Sequence, residues 1–149
     1  MRILVDAMGG DNAPEEIVKG CIDAVKEKQG FEIELLGDAE KIEKCFTSDT
    51  DRSRFIITPT HDEITNFDKP TEAIKKKPNS ALVVGMKKIR NQSAQIFISA
   101  GSTGALLAGS LLIAGRIKGV SRPALAPVVP SKKGQTMIID AGMNTRIKP

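Results

Sequence analysis

The 149-residue chain has no Trp and no Tyr, and five Phe make up its whole aromatic content. Proteins that hold single-stranded nucleic acid by base stacking need aromatic platforms, so that class is disfavoured. Two cysteines, Cys21 and Cys45, are too few for a disulfide framework or a cysteine metal centre. Both fall on apolar helix faces and read as buried, inert thiols. A single histidine, His61, lies beside Asp62 and Glu63 in an aperiodic stretch, and no Ser–His–Asp or Cys–His arrangement stands out. No run reaches the ~20 apolar residues that a membrane-spanning helix needs. An acid follows the opening MRILV too soon for a secretory leader, which points to the cytoplasm. The second half is also short of acid. Residues 75–149 carry 13 Lys/Arg and one acid, Asp140, against 9 Lys/Arg and 17 Asp/Glu in residues 1–74. The halves therefore carry +12 and −8, giving the chain its net +4. Such a split fits either mutual neutralisation within the fold or an anionic partner for the basic half.

What is present is globular. The chain is 40% hydrophobic and 27% charged, and one of this length buries roughly 68–70% of its unfolded surface. Residues 2–6 (RILVD) read as a buried strand and Gly9-Gly10-Asp11-Asn12 as a loop. Pro14 suits the first position of a helix that has Ile17, Cys21, Ala24 and Val25 on one face and ends near Gly30. Ile33, Leu35 and Leu36 form a second strand closed by Gly37. Asp38 opens a short helix with Ile42, Cys45 and Phe46 inward, and Phe55, Ile56 and Ile57 form a third strand. Residues 58–70 have no period and form a long connection of the kind that often carries function. A short helix spans 71–77. Asn79 caps the next helix, with Leu82, Met86 and Ile89 on one face. Residues 95–99 are a strand, 103–115 a helix apolar almost all round, and 124–129 and 136–140 further strands. Alternating strands and helices predict an α/β fold with a largely parallel sheet flanked by helices. An open sheet normally continues with a covering helix, but here the sequence stops five residues after Asn144. The chain therefore reads as a fragment of a longer protein.

Three strand-to-loop junctions carry the chemistry. In Ser99-Ala-Gly101-Ser102-Thr103-Gly104, glycines allow close backbone approach, hydroxyls add donors and the following helix start adds partial positive charge. Together these favour a phosphate-like anion. The alternative is a tight turn of small residues for close packing. The spacing matches neither a dinucleotide nor a nucleoside-triphosphate loop. Asp6, Gly9, Gly10 and Asp11 follow the first strand, and Asp140, Gly142 and Asn144 follow the last. In open α/β sheets ligands bind outside the carboxyl ends of strands, so these loops can line one crevice. The aspartates fit direct ligand contact or, equally, turns braced by their own side chains. Lys75, Lys76, Lys77, Lys87, Lys88 and Arg90 form a basic patch, read as a solvated face or as a dock for an acidic partner. No cofactor and no metal site is expected.

The chain resembles the PlsX-type bacterial phosphate acyltransferases along its whole length. The resemblance lies in VDAMGGDNAP (5–14), in Asp68-x-Pro70-x-x-Ala73 with Lys77 and Asn79-Ser80, and in ISAGSTGALLAG (98–109). It continues in GRIKGVSRPALAPVVP (115–130) and DAGMN (140–144). The chain departs at Ser102 (usually Asn), Ala81 (usually Ser), Met143 (usually Ala) and Arg146 (commonly Asp). The resemblance implies transfer of a long acyl group from acyl-carrier protein to inorganic phosphate. A phosphate oxygen attacks the thioester carbonyl, a tetrahedral oxyanion forms, the carrier thiol leaves, and acyl phosphate is the product of use to phospholipid synthesis. It implies phosphate or substrate contacts by Ser99, Gly101, Ser102, Thr103 and Gly104, in a crevice lined by Asp6, Gly9, Gly10, Asp11, Gly142 and Asn144. Lys76, Lys77 and Asn79 are weaker candidates. It further implies a fold like isocitrate and isopropylmalate dehydrogenases, a homodimer, and catalytic residues partly beyond Pro149. Peripheral membrane contact, at the inner face, would come through a further C-terminal portion. The other readings are a non-catalytic anion- or partner-binding module and a phosphotransacetylase-like enzyme.

Overall fold

Short apolar runs closed by Gly, Asp or Pro become strands, the pattern expected where a parallel sheet is covered on both faces. The computed structural model describes residues 1–120 and 123–142. The chain divides into two compact units, Met1–Gly115 and Arg116–Pro149. In the first unit β1 is Arg2–Asp6, β2 Glu32–Gly37, β3 Phe55–Pro59 and β4 Ile96–Ile98. They form one sheet in the order β3-β2-β1-β4, with every neighbouring pair parallel. The helices are α1 (Glu15–Glu27), α2 (Ala39–Lys44), α3 (Pro70–Lys76), α4 (Ala81–Arg90) and α5 (Thr103–Gly109). The last continues as a π-helical turn, Ser110–Ala114.

Strand alternation sends side chains to two cores. Val5, Ile33 and Leu35 face Val18, Cys21 and Val25 of α1 and Ile42 of α2. Leu4 and Leu36 face the other way, onto Ala81 of α4 and Ala94. A third cluster joins Ile74 of α3, Leu82, Val83 and Met86 of α4, and Ala105 and Ala108 of α5. The small residues of α5 permit that close helix packing. The result is the α/β architecture expected from the sequence, a parallel sheet flanked by helices. No helix among the described residues is long and apolar enough to cross a membrane.

Several local expectations shift. Pro14 is the N-cap of α1 rather than its first helical residue, and Val18, not Ala24, is fully buried in its face. Ser80, not Asn79, caps α4, its hydroxyl accepting from Val83 N–H. Cys45 is only partly buried, because it follows the last residue of the six-residue α2. The expected strands at 124–129 and 136–140 are replaced by β5 (Val128–Ser131) and β6 (Gly134–Met137). These pair antiparallel as a separate two-stranded ribbon in the second unit. The tight turn at Lys132-Lys133 ends in Gly134 at φ +134° and folds the segment back on itself.

Candidate functional site

The chain builds β1, β2 and β3 outward in one direction and then returns to lay β4 on the other side of β1. At such a reversal the loops leaving two adjacent strands diverge to opposite sides, and a crevice opens at their carboxyl ends. The two loops here are residues 7–14 after β1 and residues 99–102 after β4. They carry Gly9, Gly10, Asp11, Ser99, Gly101 and Ser102 of the residues singled out in the sequence.

Asp6 ends β1, and its carboxylate is buried. Oδ1 accepts the Met8 N–H at 3.1 Å, and Oδ2 accepts the Ser99 hydroxyl at 2.8 Å. Ser99 Oγ in turn accepts the Gly101 N–H at 3.1 Å. Burial pushes the Asp6 carboxyl above the usual aspartate range, against hydrogen bonds from Ser99, Met8 and Gly9, and the Glu63 charge reinforces the rise. Gly9 is the point of closest approach. A Cβ there would stand 2.7 Å from Asp6 Oδ2 and 2.9 Å from Gly101 N, so a side chain would drive the two loops apart. Gly10 turns the β1 loop at φ +118°, and Asp11 beyond it is exposed.

Ser102 is the N-cap of α5. Its Oγ accepts the Ala105 N–H at 3.4 Å, and its carbonyl takes the Leu106 N–H. Thr103 is exposed and Gly104 follows it, so the first amides of the helix sit in its opening turn. Those amides and the Thr103 hydroxyl are donors suited to an anion. Gly104 also lets the 58–70 connection close in, since a Cβ there would meet Pro70 Cγ at 2.9 Å.

The crevice has a wall that the motifs did not announce. Asp62, Glu63 and Ile64 from the long connection, and Ser80, Ala81 and Leu82 from the start of α4, face Asp6, Met8 and Ser102. The connection is pinned there. Asp62 Oδ2 accepts the Asn79 N–H at 2.9 Å, and the His61 N–H donates to the Asn79 carbonyl at 3.2 Å. Asp68 Oδ2 accepts from Thr65 N–H at 2.8 Å, Thr65 Oγ1–H at 3.0 Å and Lys77 Nζ at 2.7 Å. The Lys77 hydrogen bond, with those from Thr65, holds the Asp68 carboxyl down at about 2.

The structure thus brings Asp6, Gly9, Ser99 and Gly101 into contact, packs Gly10 against Ala100 and sets Ser102 with Asp6 on one crevice, while Thr103 and Gly104 open α5 directly after Ser102. It places the other candidates differently. Lys76 pairs with Glu72 at 3.0 Å and Lys77 with Asp68, while the Asn79 backbone N–H donates to Asp62 Oδ2. Gly142 belongs to the second unit, where Asp140 Oδ1 accepts the Leu125 N–H at 2.8 Å. Asn144 lies outside the described residues.

The family model described as "Fatty acid synthesis protein" matches residues 1–149. A phosphate acyltransferase of Acetivibrio thermocellus is 54% identical over 150 residues, covering 100% of this chain and 44% of that protein. One from Caldanaerobacter subterraneus subsp. tengcongensis is 48% identical over 145 residues, covering 97% and 43%. One from Clostridium novyi is 45% identical over 150 residues, covering 100% and 45%. The chain therefore spans less than half the length of the curated relatives it matches. With similarity running over every residue, the chain belongs to the fatty acid synthesis protein family, among relatives that bear the name phosphate acyltransferase.

Proposed function

We propose that this chain is the phosphate-holding, N-terminal portion of an acyltransferase that moves a long-chain acyl group from acyl-carrier protein to inorganic phosphate. The abutment of the β1 and β4 loops, where the strand order reverses, carries the reading. Phosphate docks against the Thr103 and Gly104 amides and the Thr103 hydroxyl, with Gly9 and Gly10 beside it. Fixed donors of this kind hold an oxyanion without covalently quenching its nucleophilicity. One phosphate oxygen attacks the thioester carbonyl, electrons pass to the carbonyl oxygen, and collapse of the tetrahedral intermediate expels the carrier thiolate. Positioning the two reactants supplies much of the acceleration, and donors aimed at the developing oxyanion supply more.

The relatives' greater length supports further parts of the same proposal. The remaining chain extends the sheet in the manner of isocitrate and isopropylmalate dehydrogenases, adds catalytic residues and contacts the inner face of the membrane. The protein works as a cytoplasmic homodimer and needs no cofactor.

The test is the phosphate dependence of acyl-phosphate formation by a polypeptide of family length that begins with this chain. Thr103→Val removes one hydroxyl donor without changing side-chain shape. It should raise the KM for phosphate about tenfold, the worth of one hydrogen bond to a charged group, with a smaller change in kcat. An unchanged KM removes Thr103 from the site. Acyl-phosphate formation by the 149-residue chain alone would rule out the reading of this chain as a binding module only.

A further inference from the structure

We propose that Asp6 is a positioning residue that acts through Ser99 to fix the Gly101 amide, and with it the bend from which α5 starts. A serine hydroxyl has one proton to donate and lone pairs to accept with, and by itself it rotates freely. Here Asp6 Oδ2 takes the Ser99 proton at 2.8 Å. That leaves Ser99 Oγ oriented to receive the Gly101 N–H at 3.1 Å. The second carboxyl oxygen takes the Met8 N–H at 3.1 Å. One buried side chain thus sets the backbone of both loops, joining residues 93 positions apart.

Gly9 shelters the relay. A Cβ on Gly9 would lie 2.7 Å from Asp6 Oδ2 and 3.0 Å from Ser99 Oγ, so the loops fit over the bonded pair only without a side chain. This geometry gives Asp6 and Ser99 a role different from ligands. Both Asp6 oxygens are engaged, and the Ser99 proton points to Asp6, so neither group offers a donor to an anion. The other titratable groups lining the crevice are Asp62 and Glu63, from the connection after β3.

The relay can be read without any activity, by following the Met8 and Gly101 amide resonances of the 15N-labelled 149-residue chain over pH. The expected result is that both move with one shared apparent pKa, that of Asp6. Ser99→Ala should abolish the movement at Gly101 and keep it at Met8, and Asp6→Asn should abolish both. A Gly101 amide that does not titrate in the parent chain, or still titrates in Ser99→Ala, overturns the relay. The consequence for the site rests on the acyl-transfer reading above and is measured at family length. Ser99→Ala should raise the KM for phosphate about five- to tenfold, the loss of one bond's ordering, with kcat less affected. An unchanged KM overturns the positioning role. Failure of the parent enzyme to form acyl phosphate at all overturns the acyl-transfer reading, while the amide titration still decides the relay.

Discussion

Glu34 sits in the middle of β2 with its side chain almost wholly withdrawn from water. It faces α4, where Lys88 donates to its carboxylate. Thr58 Oγ1 donates at 2.6 Å, and the Arg2 guanidinium stands 3.8 Å away. Burial by itself would push the carboxyl up, but the Lys88 and Thr58 hydrogen bonds and the Lys88 and Arg2 charges outweigh it and hold the group below the ordinary glutamate range. A carboxyl depressed in the folded state stabilises the fold above its unfolded pKa, and that contribution disappears as pH falls through the folded value. Asp6 works in the opposite sense, since its raised pKa means that stability is lost as pH rises from the unfolded to the folded value. Lys88→Met should cost about 2–4 kcal/mol at neutral pH in urea unfolding, because it strands a buried carboxylate. The deficit should shrink in acid as Glu34 takes up a proton. A loss below about 0.5 kcal/mol at neutral pH would mean that Arg2 and Thr58 suffice alone, in the range of exposed pairs.

At the scale of elements, the cap of α4 separates two readings that differ by one residue. Ser80 Oγ accepts the Val83 N–H at 3.3 Å, whereas Asn79 uses its backbone on Asp62 and His61. Ser80→Ala should therefore lower stability by about 1 kcal/mol, the usual worth of an N-cap, and Asn79→Ala by much less. Equal effects on thermal midpoint would contradict the assignment. Adjacent Asn and Ser are both good caps, so the sequence could not rank them. The four parallel strands were legible because each is a short apolar run closed by a turn former. The β5–β6 ribbon was not, because Lys132-Lys133 carries no familiar turn signature ahead of Gly134. The candidate site was legible in parts. Glycines and hydroxyls after β1 and β4 marked the loops, but the bond between Asp6 and Ser99 spans 93 positions and leaves no periodic trace. The acidic wall at Asp62 and Glu63 was hidden for the same reason, in a connection with no period to follow. Glu34 interrupts an apolar strand, and only the placement of Lys88 on the facing helix accounts for its burial.

Across the whole molecule, the division between an acidic first half and a basic second half is partly an internal arrangement. Lys76, Lys77 and Lys88 reach back to Glu72, Asp68 and Glu34 respectively. Three lysines of the basic patch thus neutralise acids of the first half, which leaves less of the patch for an acidic partner than its charge count suggests. An anion is therefore expected at the strand ends rather than along the lysine-bearing surface of α3 and α4. Titrating the 15N-labelled chain with orthophosphate and mapping the amide shifts tests this most directly. The account predicts saturable shifts centred on Gly9, Gly10, Thr103 and Gly104, with little change at Lys75, Lys76, Lys87, Lys88 and Arg90. Shifts confined to the lysine-bearing surface, or none at the bend before α5, would contradict it.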